Sequence, residues 1–187
     1  MSPVAGGALL AAAWLLRGWL EASMALHMLL QLPLIAIGGA LLGCTLRESR
    51  AAAALARIDA HGFTSLTWLM LASAYWMIPR ALEESLTLPL AEAAKFASIA
   101  LTGAVLPSAL QRANAVVQLF FLGNLSWMMA VAGIQYQDMP QRLCNAYALN
   151  DQQTTGVGLV IGSIAIAVIW CLWQLPKLKE QNEAAKI

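Results

Sequence analysis

Long apolar runs separated by short polar intervals set the pattern of this chain. Val4 to Leu16 is apolar before Arg17 and Glu21 interrupt it, which predicts a first helix from about Val4 to Leu20. That helix reads either as a short span with Arg17 snorkelling to an interface or as an interfacial helix. Further runs cover Ser23 to Cys44, Phe63 to Ile78, about Ala93 to Leu110, Ala115 to about Ile134, and Gly156 to Leu175. About 20 apolar residues at 1.5 Å of rise each cross a hydrocarbon core as a helix. The pattern therefore predicts an all-α, polytopic membrane helical bundle of about six transmembrane helices, or five if the N-terminal segment is interfacial. Pro33 predicts a kink in the second segment, and Gly38, Gly39 and Gly43 predict close helix contact there.

The polar intervals add orientation. Leu46 to Ala60 carries Arg47, Arg50 and Arg57 against Glu48 and Asp59, and its Ala-rich middle predicts a helix along the membrane surface. An acidic connection with Glu83, Glu84 and Glu92 follows the third segment. Gln111 to Asn114 makes a turn, and Gln135 to Thr155 reads as a polar loop with at most one short helix. The last segment is expected to stop at Pro176, ahead of a polar tail. If the segments alternate, the connections holding Arg47, Arg50, Arg57 and Arg112 share one side with Lys177, Lys179 and Lys186, and the acidic connection and the 135–155 loop fall on the other. Basic connections stay cytoplasmic, so both termini are expected there. The first basic residue is Arg17, after the apolar run, so residues 1–16 are expected to remain uncleaved.

Composition agrees with this pattern. The chain has 187 residues, 60% hydrophobic and 11% charged, where soluble domains carry about 25% charged residues. Little sequence is left for a soluble domain, and residues 1–187 read as a single integral-membrane helical domain in a lipid bilayer. The net charge of +1 says nothing about nucleic acid, and no basic cluster suggests it, so no nucleic-acid partner is expected. Three scattered cysteines make neither a disulfide framework nor a zinc site.

Alternating spans bring one set of residues to the outer level. His27 lies about one turn inside the second segment, with Met24 and Met28 beside it, and an ionisable residue in a span is a functional candidate. Trp76 and Met77 end the third segment on that side. Trp127, Met128 and Met129 lie in the outer half of the fifth, and Met139 and Cys144 in the outer loop. Imidazole and thioether suit copper, methionine favouring Cu(I). An ion at His27 reaches Met24 more easily than both Met24 and Met28, because His27 is offset from Met28 by one position. The plain alternative is packing: methionine fills irregular cores, and a lone histidine often bonds a neighbouring helix. Asp151, Gln152 and Gln153 stand at the entrance to the last segment. Asp151 reads as a helix cap, and the two amides read as partners for loops or another protein. Trp14, Trp19, Trp76 and Trp127 read as interfacial anchors. His61 falls at the opposite surface, so a haem ligated by two histidines finds no support. No paired carboxylate, buried lysine or arginine, or Ser/His/Asp set is expected in the spans, so no enzyme activity is expected.

Three stretches together resemble the CtaG-type cytochrome c oxidase assembly proteins. They are His27-Met28-Leu29-Leu30 with Pro33-Leu34 and Gly38, Trp76-Met77-Ile78-Pro79 with Ala81-Leu82, and Leu149-Asn150-Asp151-Gln152-Gln153 with Gly156. The resemblance implies a bacterial inner-membrane protein that supplies copper to a haem-copper oxidase. It implies metal ligands at His27, Met77 and Met24 or Met28. The family's second histidine is here Ser23, and the histidine of its Trp-His-x-Pro motif is Met77. Two expectations follow: a reduced Cu(I) site at the periplasmic face, or a non-metal structural or assembly subunit of a larger membrane oxidoreductase complex.

Overall fold

The structure is a computed structural model that describes residues 3–46 and 49–184. Arg47, Glu48 and Lys186, which entered the charge pattern above, lie outside them. The described residues form nine helices and no strand: α1 (Pro3–Leu15), α2 (Arg17–Leu20), α3 (Met24–Thr45), α4 (Arg50–Ile58), α5 (Phe63–Trp76), α6 (Pro79–Thr87), α7 (Pro89–Arg112), α8 (Ala115–Asp138) and α9 (Leu149–Ala184). The protein is an all-α membrane bundle. Four helices have the length and apolarity to cross a bilayer: α3, α7, α8 and the Leu149–Pro176 part of α9. The other two apolar segments are shorter helices, α1 with 13 residues and α5 with 14.

Small residues decide the closest packing. A Cβ on Gly39 would lie 2.1 Å from the Ala100 carbonyl oxygen, one on Gly43 2.1 Å from that of Ala104, and one on Gly103 1.9 Å from that of Ala36. The backbones of α3 and α7 therefore touch, at the glycines the sequence marked and at one on the facing helix. Gly38 turns instead to α1, where Leu10 and the Gly6 carbonyl meet it. Gly133 and Gly156 approach each other's carbonyls in the same way between α8 and α9. Two tight units result, α1–α3–α7 and α8–α9, and α5 packs against both α7 and α8.

Pro33 acts one turn upstream of itself. Residues His27–Gln31 form a π-helical turn within α3, which relieves the clash a proline ring makes with the carbonyl four residues before it. The interval 46–60 is helical in its middle, as predicted: Ser49 caps α4 by accepting from the Ala52 N–H at 3.2 Å. At that end of the bundle Asp59 is buried. It accepts from the Thr64 N–H, the Ser65 hydroxyl and the Arg112 guanidinium at 2.9, 2.6 and 2.9 Å. Burial alone would raise its carboxyl, but the hydrogen bonds from Ser65, Arg112 and the backbone outweigh burial and hold it below the usual carboxylate range. The neighbouring Gly62 has φ 77°, a left-handed conformation, and a Cβ there would also strike the Ala109 carbonyl.

Three expectations about the elements need correction. The polar interval 135–155 is a loop only between Met139 and Ala148, because α8 runs on to Asp138 and α9 starts at Leu149. Its polar side chains bond into the bundle instead of solvating a loop: Tyr136 donates to the Met77 carbonyl at 2.5 Å. The last helix does not end at Pro176 but carries its backbone through it to Ala184. Trp76 is no interfacial anchor, since it is buried and its indole N–H donates to the Ser98 hydroxyl at 2.8 Å. Trp14, Trp19 and Trp127 are exposed, as anchors should be.

Candidate functional site

The site is a cluster of buried polar groups where α2, α3 and α7 meet the loop before α9. Helix α2 ends at Leu20, and α3 restarts at Met24 with Ser23 as its cap. This break lets Glu21 point back into the bundle. His27 and Gln31 stand four residues apart on the π-helical turn, so they share one face. Lys95 reaches that face from the second turn of α7. Both His27 and Lys95 have 0% exposure.

All three protons of the Lys95 ammonium find acceptors. Its Nζ lies 2.6 Å from Glu21 Oε1, 2.8 Å from His27 Nε2 and 3.2 Å from Gln31 Oε1. Gln31 Nε2 donates to Glu21 Oε1 at 3.0 Å. On the far side of the imidazole, His27 Nδ1 lies 2.8 Å from the Tyr147 hydroxyl, which donates to the Glu21 carbonyl at 3.1 Å. One arrangement satisfies every group. His27 is neutral with its proton on Nδ1, that proton goes to Tyr147, and the Nε2 lone pair takes a proton from Lys95. Lys95 and Glu21 are then a charged pair. Arg17 and Glu92, 3.3 Å apart, form a second and more exposed rung between α2 and α7.

Asp151 closes the cluster from α9. Its carboxylate accepts from the Ser23 hydroxyl at 2.8 Å, from the Met24 N–H in a short bond, and from the Ala25 N–H at 3.4 Å. Asp151 is thus a helix cap, but for α3 across the bundle and not for its own helix. A carboxylate placed on the free N–H groups of a helix start satisfies them and complements the dipole. Gln152 is buried and spans two elements, accepting from the Leu143 N–H at 2.8 Å and donating to the Tyr136 carbonyl at 3.1 Å. Gln153 is exposed. The entrance motif therefore acts as a clasp between α3, α8 and α9.

The methionines lie on another side of α3. Met24 and Met28 are buried in one apolar cluster with Leu82, Tyr136, Cys144, Tyr147 and Leu159, and Met77 packs against it. Met24, Met28, Met77 and Asp151 thus share one end of the bundle, with His27 on the adjoining face. Burial pushes the Cys144 thiol and the Tyr147 phenol above their ordinary values, which keeps both protonated.

The expectation of no buried lysine in a span was wrong, and Lys95 is the residue it missed. The signal was a single lysine near the start of an Ala-rich apolar segment, three residues after Glu92. Glu21, Gln31 and Tyr147 carried no comparable mark, because only the fold makes them neighbours. The donor set does not fit a metal at His27. Both ring nitrogens are engaged, and a buried ammonium 2.8 Å from Nε2 opposes a second cation.

Comparison with known proteins adds no further assignment: no protein-family model, no curated protein and no solved structure matches this chain.

Proposed function

We propose that the protein is a metal-free structural or assembly subunit of a larger membrane oxidoreductase complex. It would be a reduced counterpart of the oxidase-assembly proteins that its three motifs resemble. The supporting observation is the commitment of His27: the one imidazole available for copper is the centre of a satisfied hydrogen-bond network with Lys95 and Tyr147. In this reading the residues of the motifs have kept a structural role. Asp151 and Gln152 clasp the helices, and His27 neutralises a polar hole that Lys95 and Glu21 would otherwise leave. The test is purification from its native membrane in a mild detergent, with elemental analysis of the product. Co-purification with oxidoreductase subunits and no stoichiometric copper is expected. Stoichiometric copper that is lost in Met77→Ala or His27→Ala overturns the proposal.

One observation favours a second reading, Cu(I) handling for a haem-copper oxidase. Met24, Met28 and Met77 converge on a single cluster that also holds Cys144, and soft sulfur donors select Cu(I). Copper retained in His27→Ala but lost in Met24→Leu and Met77→Leu would establish it.

A further inference from the structure

The two tight units of the bundle do not close against each other along their full length. At one end they are joined by Asp151 on the start of α3 and by Leu29, whose methyl carbon would sit 2.2 Å from a Cβ on Gly158. Beyond that join a cleft of about 570 Å³ opens between α3 and α7 on one side and α8 and α9 on the other. Leu69, Trp76 and Leu125 make its buried floor. Ile37 on α3 and Ile161 on α9 flank its mouth and are 53% and 62% exposed, so the cleft faces sideways into the bilayer.

Size decides what can enter. The cleft's volume falls in the range of about 300–1,000 Å³ typical of small-ligand sites, enough for one flexible apolar chain. The lining is apolar apart from Ser73 and Thr102. The Thr102 hydroxyl donates to the Ser98 carbonyl at 2.8 Å, whereas the Ser73 hydroxyl has no hydrogen-bond partner among the described residues. Ser73 lies one turn from the Met77 end of α5, close to the bundle's polar end. It offers one donor to a ligand whose only polar atom there is an uncharged oxygen.

We propose that this cleft binds one acyl chain of a membrane phospholipid, the ester carbonyl accepting from Ser73 and the chain running over Leu69 toward Ile166. Phospholipid acyl chains are the solvent at the mouth of the cleft, so mass action favours them over scarcer membrane-borne ligands. No charged side chain lines the cleft, which leaves the headgroup outside at the interface.

The test is native mass spectrometry of the full chain, exchanged through excess detergent to strip loosely held lipid. The expected result is a retained adduct of one phospholipid per chain, identified by fragmentation after extraction. Ala40→Phe fills the cleft from α3 and should lower occupancy at least about tenfold, a clash equivalent to about 1.4 kcal/mol. Ser73→Ala leaves the volume intact and should weaken retention by a few-fold, so the proposal stays testable if the first variant does not fold. Val116→Phe, on a 75% exposed position of α8 outside the cleft, should leave occupancy unchanged. An unmodified mass, an isoprenoid adduct, or phospholipid retained equally in Ala40→Phe and Ser73→Ala overturns the proposal.

Discussion

Lys95 is the residue whose surroundings explain most about this chain. A lysine inside an apolar helix is costly to bury unless its charge is matched and its protons are accepted. Here Glu21 matches the charge, and His27 and Gln31 accept the remaining protons. Removing one partner of such a pair leaves an uncompensated buried charge, a loss of about 3–5 kcal/mol, whereas replacing both by neutral groups of similar volume is far milder. Lys95→Ala should therefore lower stability in denaturant titrations in detergent by about 3 kcal/mol or more, and Glu21→Gln combined with Lys95→Met should recover most of the loss. Equal losses in the two variants would show that an uncompensated charge does not set the effect. His27 looks different in this light. It is the acceptor that completes the hydrogen bonding of the lysine.

Among the elements, the α3–α7 contact is the one with least tolerance. Gly103 has the Ala36 carbonyl oxygen 1.9 Å from where its Cβ would be, whereas Gly7 on α1 has nothing within 4 Å. The same substitution should then act in opposite directions at the two positions. Gly103→Ala forces two backbones apart and should destabilise by about 1–3 kcal/mol or more. Gly7→Ala removes only backbone entropy from the unfolded chain and should stabilise by up to about 1 kcal/mol. Thermal unfolding of the two purified variants checks the contrast. Gly39 and Gly43 were legible in the sequence as contact residues because they lie in the same span as Gly38. Gly103 gave no such sign, since its partner surface is defined only by which helix it meets.

For the whole molecule, two ends of distinct chemistry emerge. One gathers Glu21, His27, Lys95, Tyr147 and the Asp151 clasp; the other is tied by Asp59, Ser65 and Arg112. We propose from the lysine and arginine distribution that the second end is the cytoplasmic one. Gln153 and His61 are exposed at opposite ends. In a variant lacking the native cysteines, Gln153→Cys should react with a membrane-impermeant maleimide applied to intact cells. His61→Cys should react only in inverted vesicles, and the reverse pattern would overturn the assigned orientation.

The apolar runs by themselves determined the class of protein, the positions of α3, α5, α7 and α8 to within a few residues, and which level of the bundle would gather His27, Met77 and Asp151. These follow from local quantities: the length of an apolar run, the breaks at Pro79 and Gln111, and the alternation of sides. The tertiary structure alone decided what those residues do. Asp151 caps α3 rather than α9, and His27 faces Lys95 while Met24 and Met28 face another way. Neither outcome is written in spacing, because a hydrogen-bond partner 68 or 127 positions away is fixed by how helices pack, not by the period of one helix.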